Sequence, residues 1–403
     1  MRALVVTHVF PRYEGDPSAP FLLTWARALR SEGAGVFVVA PHDEGLTQHR
    51  EVGGVPVRFV RYGPDRVEKL AYRGEMHYLV RRPGGPPLIA SLLGTMARAV
   101  KTEVRRDRPD LLHVHWWLPG AVVARLARVD VPWVVTVHGT DVALLEGRPR
   151  LAALARWALA AADQVEAVST DLAEQLERAT GRAADAVNPM PLPADRLRPM
   201  VRARQGRGRH LRVLAIGRMV PEKGFADLVG AVALLDGGGA VLTIVGEGPE
   251  RERLAGLARA LGVALELPGR LDPVGLRRAY AQADVVVQPS HREGLGLVAA
   301  EALALGLPVV ATDSGGARDV LDGLVPVGDL EALASRLTAI AADPQAARLA
   351  AAPFADRVRA RLSPTAAAAR TLQGWHAAVS RRASCVVTRE TAPGDHRENR
   401  SDR

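Results

Sequence analysis

Two glutamates, Glu293 and Glu301, stand eight residues apart in the otherwise apolar stretch SHREGLGLVAAEALALG. The run ADVVVQPS before it reads as a buried strand ending at Ser290, HREGLG as a turn, and LVAAEALALG as a helix ending at Gly306. A helix start carries free amides that favour an anion, so Gly296, Leu297 and Val298 are candidates to meet a diphosphate. Carboxylate oxygens accept hydrogen bonds from adjacent sugar hydroxyls. That role is open to Glu293 in the turn and to Glu301 about one turn into the helix. The bland alternative is that Glu301 is simply exposed. Its neighbours are Ala, Leu and Gly, however, and an unpaired carboxylate among them is costly.

Cations come next. RVLAIGRMVPEKGF places Gly217 after a strand, then Arg218, then Lys223. A planar guanidinium and a compact ammonium both suit phosphate oxygens. Lys223 is one of three lysines in a chain whose remaining basic charge is arginine, which singles it out; Arg218 read alone is equally a surface charge. This is no Walker loop, because Gly224 rather than Ser or Thr follows the lysine. VLTIVGEGPERERL fails as a dinucleotide fingerprint, since Arg251 holds the third glycine position, and a tight strand-to-helix turn is the better reading. His138 ends the strand PWVVTVHG, as a ligand-facing group or as a satisfied core histidine. His113 and His115 flank Val114 and face one side of a strand. With no carboxylate or cysteine cluster beside them, they read as packing or acceptor-side residues and not as metal ligands.

The elements that must position these groups alternate short β-branched runs with amphipathic helices. ALVVTHVF, GVFVVAPHD, DLLHVHW, PWVVTVHG and QVEAVST form one series, and RVLAIG, AVLTIVG, ALELPGR, ADVVVQPS and PVVATDS a second. Such alternation predicts parallel strands joined by crossover helices, with ligands at the carboxyl ends of the strands. NPMPLPADRLRPM, with four prolines in thirteen residues, breaks the pattern, and VRARQGRGRHLR carries five arginines and no acid. The expected organisation is a first unit over 1–190, a linker over 191–210, a second unit over 211–362, a helix over 363–380 and a disordered tail over 381–403.

Composition sets the outer bounds. The 403 residues suffice for two cores, and the single cysteine, Cys385, excludes an intrachain disulfide. MRALVVTHVF reads as a buried strand without the parts of a cleavable leader, and no apolar run reaches spanning length, so the expectation is a cytoplasmic protein. The net charge of +9 is uneven: from Arg58 to Arg108 twelve basic residues stand against five acidic ones, with Tyr62, Tyr72 and Tyr78 between them. The stretch is either a solvated face or a patch for an anionic membrane or nucleic acid. No nucleic-acid module is visible, so nucleic acid is not an expected partner.

The order and spacing of these motifs, with HVHWWLPGA and VVTVHGTDV in the first half, resemble the family 4 retaining glycosyltransferases over roughly residues 1–380. The resemblance implies the GT-B fold: α/β, two doubly wound Rossmann-like domains facing a cleft, the first on the acceptor side, the second binding a nucleotide-sugar, and the C-terminal helix crossing back to the first. It also implies roles. Arg218 and Lys223 contact the donor diphosphate, Glu301 the ribose, and Glu293 the transferred sugar. Gly269 and Arg270 lie beside the base, and His138 reaches over from the first domain, with Asp141 and Gly15 as secondary candidates. No metal or other cofactor is expected, because the cations take the place of magnesium. The acceptor is a glycan, a lipid-linked glycan or a small molecule, which suits a protein peripheral at the inner face of the membrane. The chain departs from the family pattern at Gly15, alone where a glycine pair is usual, at the shortened DGLVPVGD segment, at Asp319 where glutamate is common, and at Leu295 where an aromatic is usual. Two other readings stay open: a nucleotide-sugar epimerase on the same scaffold, and a non-catalytic binding protein.

Overall fold

In the computed structural model, which describes residues 1–72, 84–199, 210–235 and 239–390, the β-branched runs form the strands of two sheets. The first draws on β1 (Arg2–Val6), β2 (Gly35–Pro41), β3 (His49–Val52), β4 (Val55–Val60), β5 (Leu111–His115), β6 (Trp133–Val137), β7 (Gln164–Ala167) and β8 (Ala186–Val187). Their order is β3-β4-β2-β1-β5-β6-β7-β8, parallel throughout except for the β3–β4 hairpin. Every residue of β5 and β6 is buried, as expected for strands covered on both faces. The covering helices are α1 (Pro20–Ser31), α2 (Gly85–Asp107), α3 (Val122–Ala127), α4 (Thr140–Ala143), α5 (Pro149–Leu159) and α6 (Thr170–Thr180).

The second sheet is wholly parallel, ordered β11-β10-β9-β12-β13. It runs through β9 (Leu211–Ile216), α7 (Phe225–Ala233), β10 (Ala240–Val245), α8 (Arg251–Leu261), β11 (Ala264–Gly269), α9 (Pro273–Gln282), β12 (Val285–Gln288), α10 (Leu297–Ala304) and β13 (Val309–Ala311). The strand order reverses at β1/β5 in one sheet and at β9/β12 in the other. A doubly wound sheet opens its ligand crevice at such switch points. Three helices close the chain: α11 (Leu330–Ala342), α12 (Pro344–Arg361) and α13 (Pro364–Glu390). The structure is a two-sheet α/β architecture of GT-B type, with a core under each sheet.

The last helix, α13, leaves the second unit and packs on the first. Trp375 is fully buried there, and its indole N–H donates to His113 Nδ1 at 2.7 Å. Trp25 of α1 donates to Thr371 Oγ1 at 2.9 Å. At about 25 cal/mol/Å² a buried tryptophan of roughly 200 Å² contributes about 5 kcal/mol before entropy. That exceeds the 0–1 kcal/mol typical of an exposed ion pair, so Trp375 anchors the helix, and Arg381 on Asp185 and Arg382 on Asp130 trim its end. The helix continues to Glu390 instead of stopping at 380; residues 391–403 of the expected tail lie outside the described residues. Of the expected linker, 191–199 is ordered, with Leu192 N–H on Leu362 O at 2.9 Å, and 200–209 lies outside the described residues.

His113 is thus a satisfied core residue, its second nitrogen 2.9 Å from Thr136 Oγ1. Burial pushes it down to about 3 and His8 down to about 4. A histidine depressed on folding binds fewer protons than in the unfolded chain. Its stabilisation is therefore complete above about pH 6.5 and is lost as pH falls, by up to about 1.4 kcal/mol per pH unit until the native value is passed. His113→Gln should flatten the acid limb of stability between about pH 6 and 4 by up to one proton's slope in urea titrations; an unchanged slope would exclude His113 from the acid-labile groups.

Candidate active site

Lys223 and Glu293, far apart in sequence, meet at the carboxyl ends of β9 and β12. Lys223 Nζ donates to Glu293 Oε2 at 2.6 Å, and Ser290 Oγ donates to the same oxygen at 3.2 Å. The loop after β9 reaches them because Gly224 adopts φ +62 against β12's continuation. A Cβ there would lie 2.0 Å from Pro289 O, a placement only glycine permits. Gly217 lies under the lysine stem, its would-be Cβ 3.7 Å from Lys223 Cδ. Arg218 is exposed, its carbonyl accepts from Val220 N–H, and its guanidinium has no hydrogen-bond partner among the described residues.

Helix α10 starts beyond Glu293, capped by Gly296 at φ +80. Gln288 Oε1 accepts from Ala299 N–H at 3.1 Å, while the amides of Leu297 and Val298 have no acceptor among the described residues. Two N–H groups therefore remain for an anion. Glu301 is not the exposed helix residue of the bland reading, its side chain being 21% accessible. Its Oε2 accepts from Tyr280 Oη at 2.8 Å and lies 3.4 Å from Arg196 Nη1. Burial raises its pKa, opposed by Arg196 and the tyrosine hydroxyl. Oε1 keeps its acceptor capacity, with no partner among the described residues. Gly269 takes φ +79 and its carbonyl accepts from Gly246 N–H, setting the exposed Arg270 at the end of β11.

From the first sheet, the turn after β6 carries His138. Its scaffold is Asp141, which is buried and takes three backbone amides: His138 and Gly139 on Oδ1 at 3.1 and 3.0 Å, and Trp117 on Oδ2 at 2.9 Å. Burial raises its pKa and the amides oppose that. A carboxylate so occupied holds the turn rather than a ligand. The His138 ring stacks on Trp116 at 4.2 Å, and its Nε2 lies 2.9 Å from His115 Nδ1. Burial and the neighbouring histidines His8 and His113 push its pKa well below 6.5, so the ring is neutral near pH 7. Gly15 sits in an exposed loop after β1 pinned by Arg12 on Asp16 and Asp43, with no would-be Cβ contact within 4 Å.

The two units touch at these turns. A Cβ on Gly294 would lie 2.8 Å from His138 O. Thr170 donates its N–H and hydroxyl to the two oxygens of Asp319, at 2.7 and 2.8 Å, and Arg292 pairs with Glu146. Asp319, where the family pattern has glutamate, thus ties the second unit to the start of α6. A cavity of about 550 Å³ lined by Leu295, Arg318, Asp319 and Arg361 contains none of the predicted ligand groups. Among the described residues, one trio has metal-site spacing, His42, Asp65 and Glu68, but His42 already bonds Glu68 and Leu46 O through its two nitrogens.

The structure therefore gathers Lys223, Glu293, Glu301, Gly296, Leu297 and Val298 at one set of strand ends, with His138 on the facing turn. Sequence reading missed Ser290, Tyr280, Arg196, Gln288, His8 and Trp116, which hold or border these groups. His8 and Ser290 left a signal, each at the end of a strand, and Ser290 reaches Glu293 three residues on. Arg196 and Tyr280 act on Glu301 from 105 and 21 positions away, pairings the sequence does not announce.

A family model described as glycosyl transferases group 1 matches residues 202–353, and one described as a glycosyl transferase 4-like domain matches 18–193. The chain is 32% identical over 260 residues to a glycogen synthase of Mycobacterium tuberculosis, covering 60% of this chain and 63%, just under two thirds, of that protein. It is 31% identical over 348 residues to the 2-deoxystreptamine N-acetyl-D-glucosaminyltransferase of Streptomyces fradiae, covering 77% and 79% of the two chains. Among solved structures, sucrose-phosphate synthase from Thermosynechococcus elongatus superposes with a TM-score of 0.78 at 24% identity, over 93% of this chain and 98% of that one. Anabaena HepE in complex with UDP and glucose gives 0.66 at 18% identity, over 97% and 100%. At these identities the structures establish the fold.

Asp141→Asn swaps one acceptor oxygen for an amide that faces a backbone N–H. The expected cost is about 1–3 kcal/mol in chemical denaturation, and a loss under about 0.5 kcal/mol would show that the turn does not depend on this carboxylate.

Proposed function

The chain belongs to the family 4 glycosyltransferases of GT-B fold, and from that premise we propose that it moves a sugar, with retention, from a nucleotide-diphosphate sugar to an acceptor hydroxyl. The observation that carries the proposal is the Lys223–Glu293 pair set before the free amides of α10, with Glu301 offering Oε1 beyond. Lys223, Arg218 and those amides supply positive charge for the diphosphate. Glu301 Oε1 accepts from a ribose hydroxyl, and Glu293 from hydroxyls of the transferred sugar. Gly269 and Arg270 flank the base. The acceptor oxygen attacks the anomeric carbon on the face the nucleotide leaves. The bond to the diphosphate oxygen breaks, and the acceptor proton passes to that departing oxygen. The protein contributes positioning and stabilisation of negative charge on the leaving group.

The reading needs no metal, because two cations and a helix start provide the charge a divalent ion otherwise supplies, so the assay belongs in EDTA. UDP is the nucleotide bound in the HepE complexes, which makes UDP-sugars the first donors to screen. The related transferases lend nothing to the epimerase reading.

For the acceptor, the outer face of α2 exposes Arg98, Lys101 and Arg105. The tyrosines expected to interleave with this charge do not join it. Tyr62 is buried and accepts from Leu70 N–H, and Tyr72 donates to Pro41 O; Tyr78 lies outside the described residues. Several of the arginines are also paired: Arg58 with Glu103, Arg61 with Asp65, Arg106 with Asp107. What remains is a smaller, purely electrostatic patch suited to anionic lipid and hence to a lipid-linked acceptor at the inner face of the membrane. No helix among the described residues is long and apolar enough to cross a membrane.

Lys223→Ala should lower kcat/KM for the donor by the worth of a charge-assisted hydrogen bond, about 1.5–3 kcal/mol, and Glu293→Gln should lower turnover with the fold intact. Wild-type rates in both variants would overturn the assignment. Sedimentation with phosphatidylglycerol vesicles should be strong at low salt and weak at high salt; no binding at low salt would exclude the lipid surface.

A further inference from the structure

His115 is fully buried, and one of its nitrogens, Nε2, has no partner among the described residues. Its other nitrogen, Nδ1, lies 2.9 Å from His138 Nε2. We propose that His115 is a positioning residue which fixes His138 as the neutral tautomer protonated on Nδ1, so that His138 offers an N–H to an oxygen of the bound donor. The proposal rests on the reading of His138 as a donor-facing group.

The inference follows from where the protons can go. Between two neutral imidazoles one nitrogen donates and the other accepts. If His138 donated, the His115 proton would sit on Nε2, a buried N–H with no acceptor. If His115 donates, only a lone pair is left over. Among backbone groups an orphaned buried N–H is rarer than an under-satisfied acceptor, and the same preference applied to these rings makes His115 Nδ1 the donor. The proton of His138 then has one place left, Nδ1, which is unpartnered among the described residues.

A second observation points the same way. Trp116, between these residues in the fold, has φ +64 and ψ 133, an outlier for so bulky a side chain. That backbone carries its indole under the His138 ring, 4.2 Å away and 29° from parallel, while its neighbour His115 faces the ring edge. Phe21 covers a further side at 5.6 Å. Hydrogen bond and stack together fix both the plane of the ring and its proton. An N–H at Nδ1 can donate to a sugar oxygen or to an oxygen of the departing phosphate, whereas a lone pair there could only accept from a hydroxyl and would repel a phosphate oxygen. Stacked on His115 at 4.7 Å, His113 spends both of its nitrogens on Thr136 and Trp375 and so leaves this pair undisturbed.

The test is made on the full-length protein labelled with ¹⁵N-histidine, with the His138 signals identified by their absence from His138→Ala. The expected result is a protonated Nδ1 and an unprotonated Nε2 on His138 in the wild type, a measurement that needs no variant of His115 to fold. His115→Leu should reduce kcat about tenfold, the worth of one neutral hydrogen bond, with donor KM and UDP affinity by calorimetry nearly unchanged. His115→Asn, whose amide N–H can stand where Nδ1–H stood, should recover most of the loss. A His138 protonated on Nε2 would overturn the proposal, as would His115→Asn behaving like His115→Leu. Wild-type transfer by His138→Ala would instead overturn the role of His138 itself, and the nitrogen shifts would still decide the pairing.

Discussion

The close backbone approach of two glycine turns is the constraint on which the rest of this molecule depends. A Cβ at Gly294 would sit 2.8 Å from the carbonyl of His138, and one at Gly139 would sit 3.2 Å from Gly294 Cα. Only residues without side chains let loops from separate sheets come that near. The approach brings the turn bearing Glu293 against the turn bearing His138, so that groups from both halves can address one substrate. Gly315 extends the same seam, since a Cβ there would lie 2.2 Å from Asp171 Oδ2, and Gly316 braces the Glu293 turn within its own unit, with a would-be Cβ 2.3 Å from Gly294 O.

Such a seam needs its two walls held in register, and the buried polar network around α13 does this. Glu166 accepts from Gln164 at 2.8 Å and from Asn188 at 2.9 Å, and Asn188 also reaches Thr371 on the last helix. Burial raises the pKa of Glu166, while its amide partners oppose the shift. A network of this kind tolerates little displacement, because each broken bond strands a polar group away from water. The helix therefore docks in one place on the first unit, and the paired crossing at Leu192 and Leu362 passes that placement on to the second.

Within the site, charges are matched to each other before any substrate arrives. Lys223 balances Glu293, and Arg196 with Tyr280 holds Glu301 at an orientation its burial would otherwise penalise. The proposed donor needs little rearrangement of these groups, since the free amides of α10 and the unpartnered Arg218 already lie at the same strand ends. Preorganisation of this kind is the main catalytic resource of a reaction in which negative charge develops on a leaving diphosphate.

The sequence by itself determined the strand and helix alternation and the two-unit α/β class, and it marked Glu293, Glu301 and the α10 amides as one local element, because these depend on periodicity and on residues close along the chain; Lys223, 70 positions away, joined them only through the family resemblance, and the fold sets it on Glu293. Tertiary structure alone decided which of the candidates face the cleft and which serve as scaffold. Asp141 and His138 share one turn in the sequence, yet the first is consumed by three backbone amides while the second lies beside Gly294. Tyr62 and Tyr72 stand among arginines in the sequence, yet Tyr62 is buried and the half-buried Tyr72 turns its hydroxyl to Pro41 O. Asp319 looked like a departure from pattern and proved to be the partner of Thr170, 149 positions away. The physical reason is the same each time: a polar side chain's role is set by which donors and acceptors surround it, and those come from segments that only folding brings together.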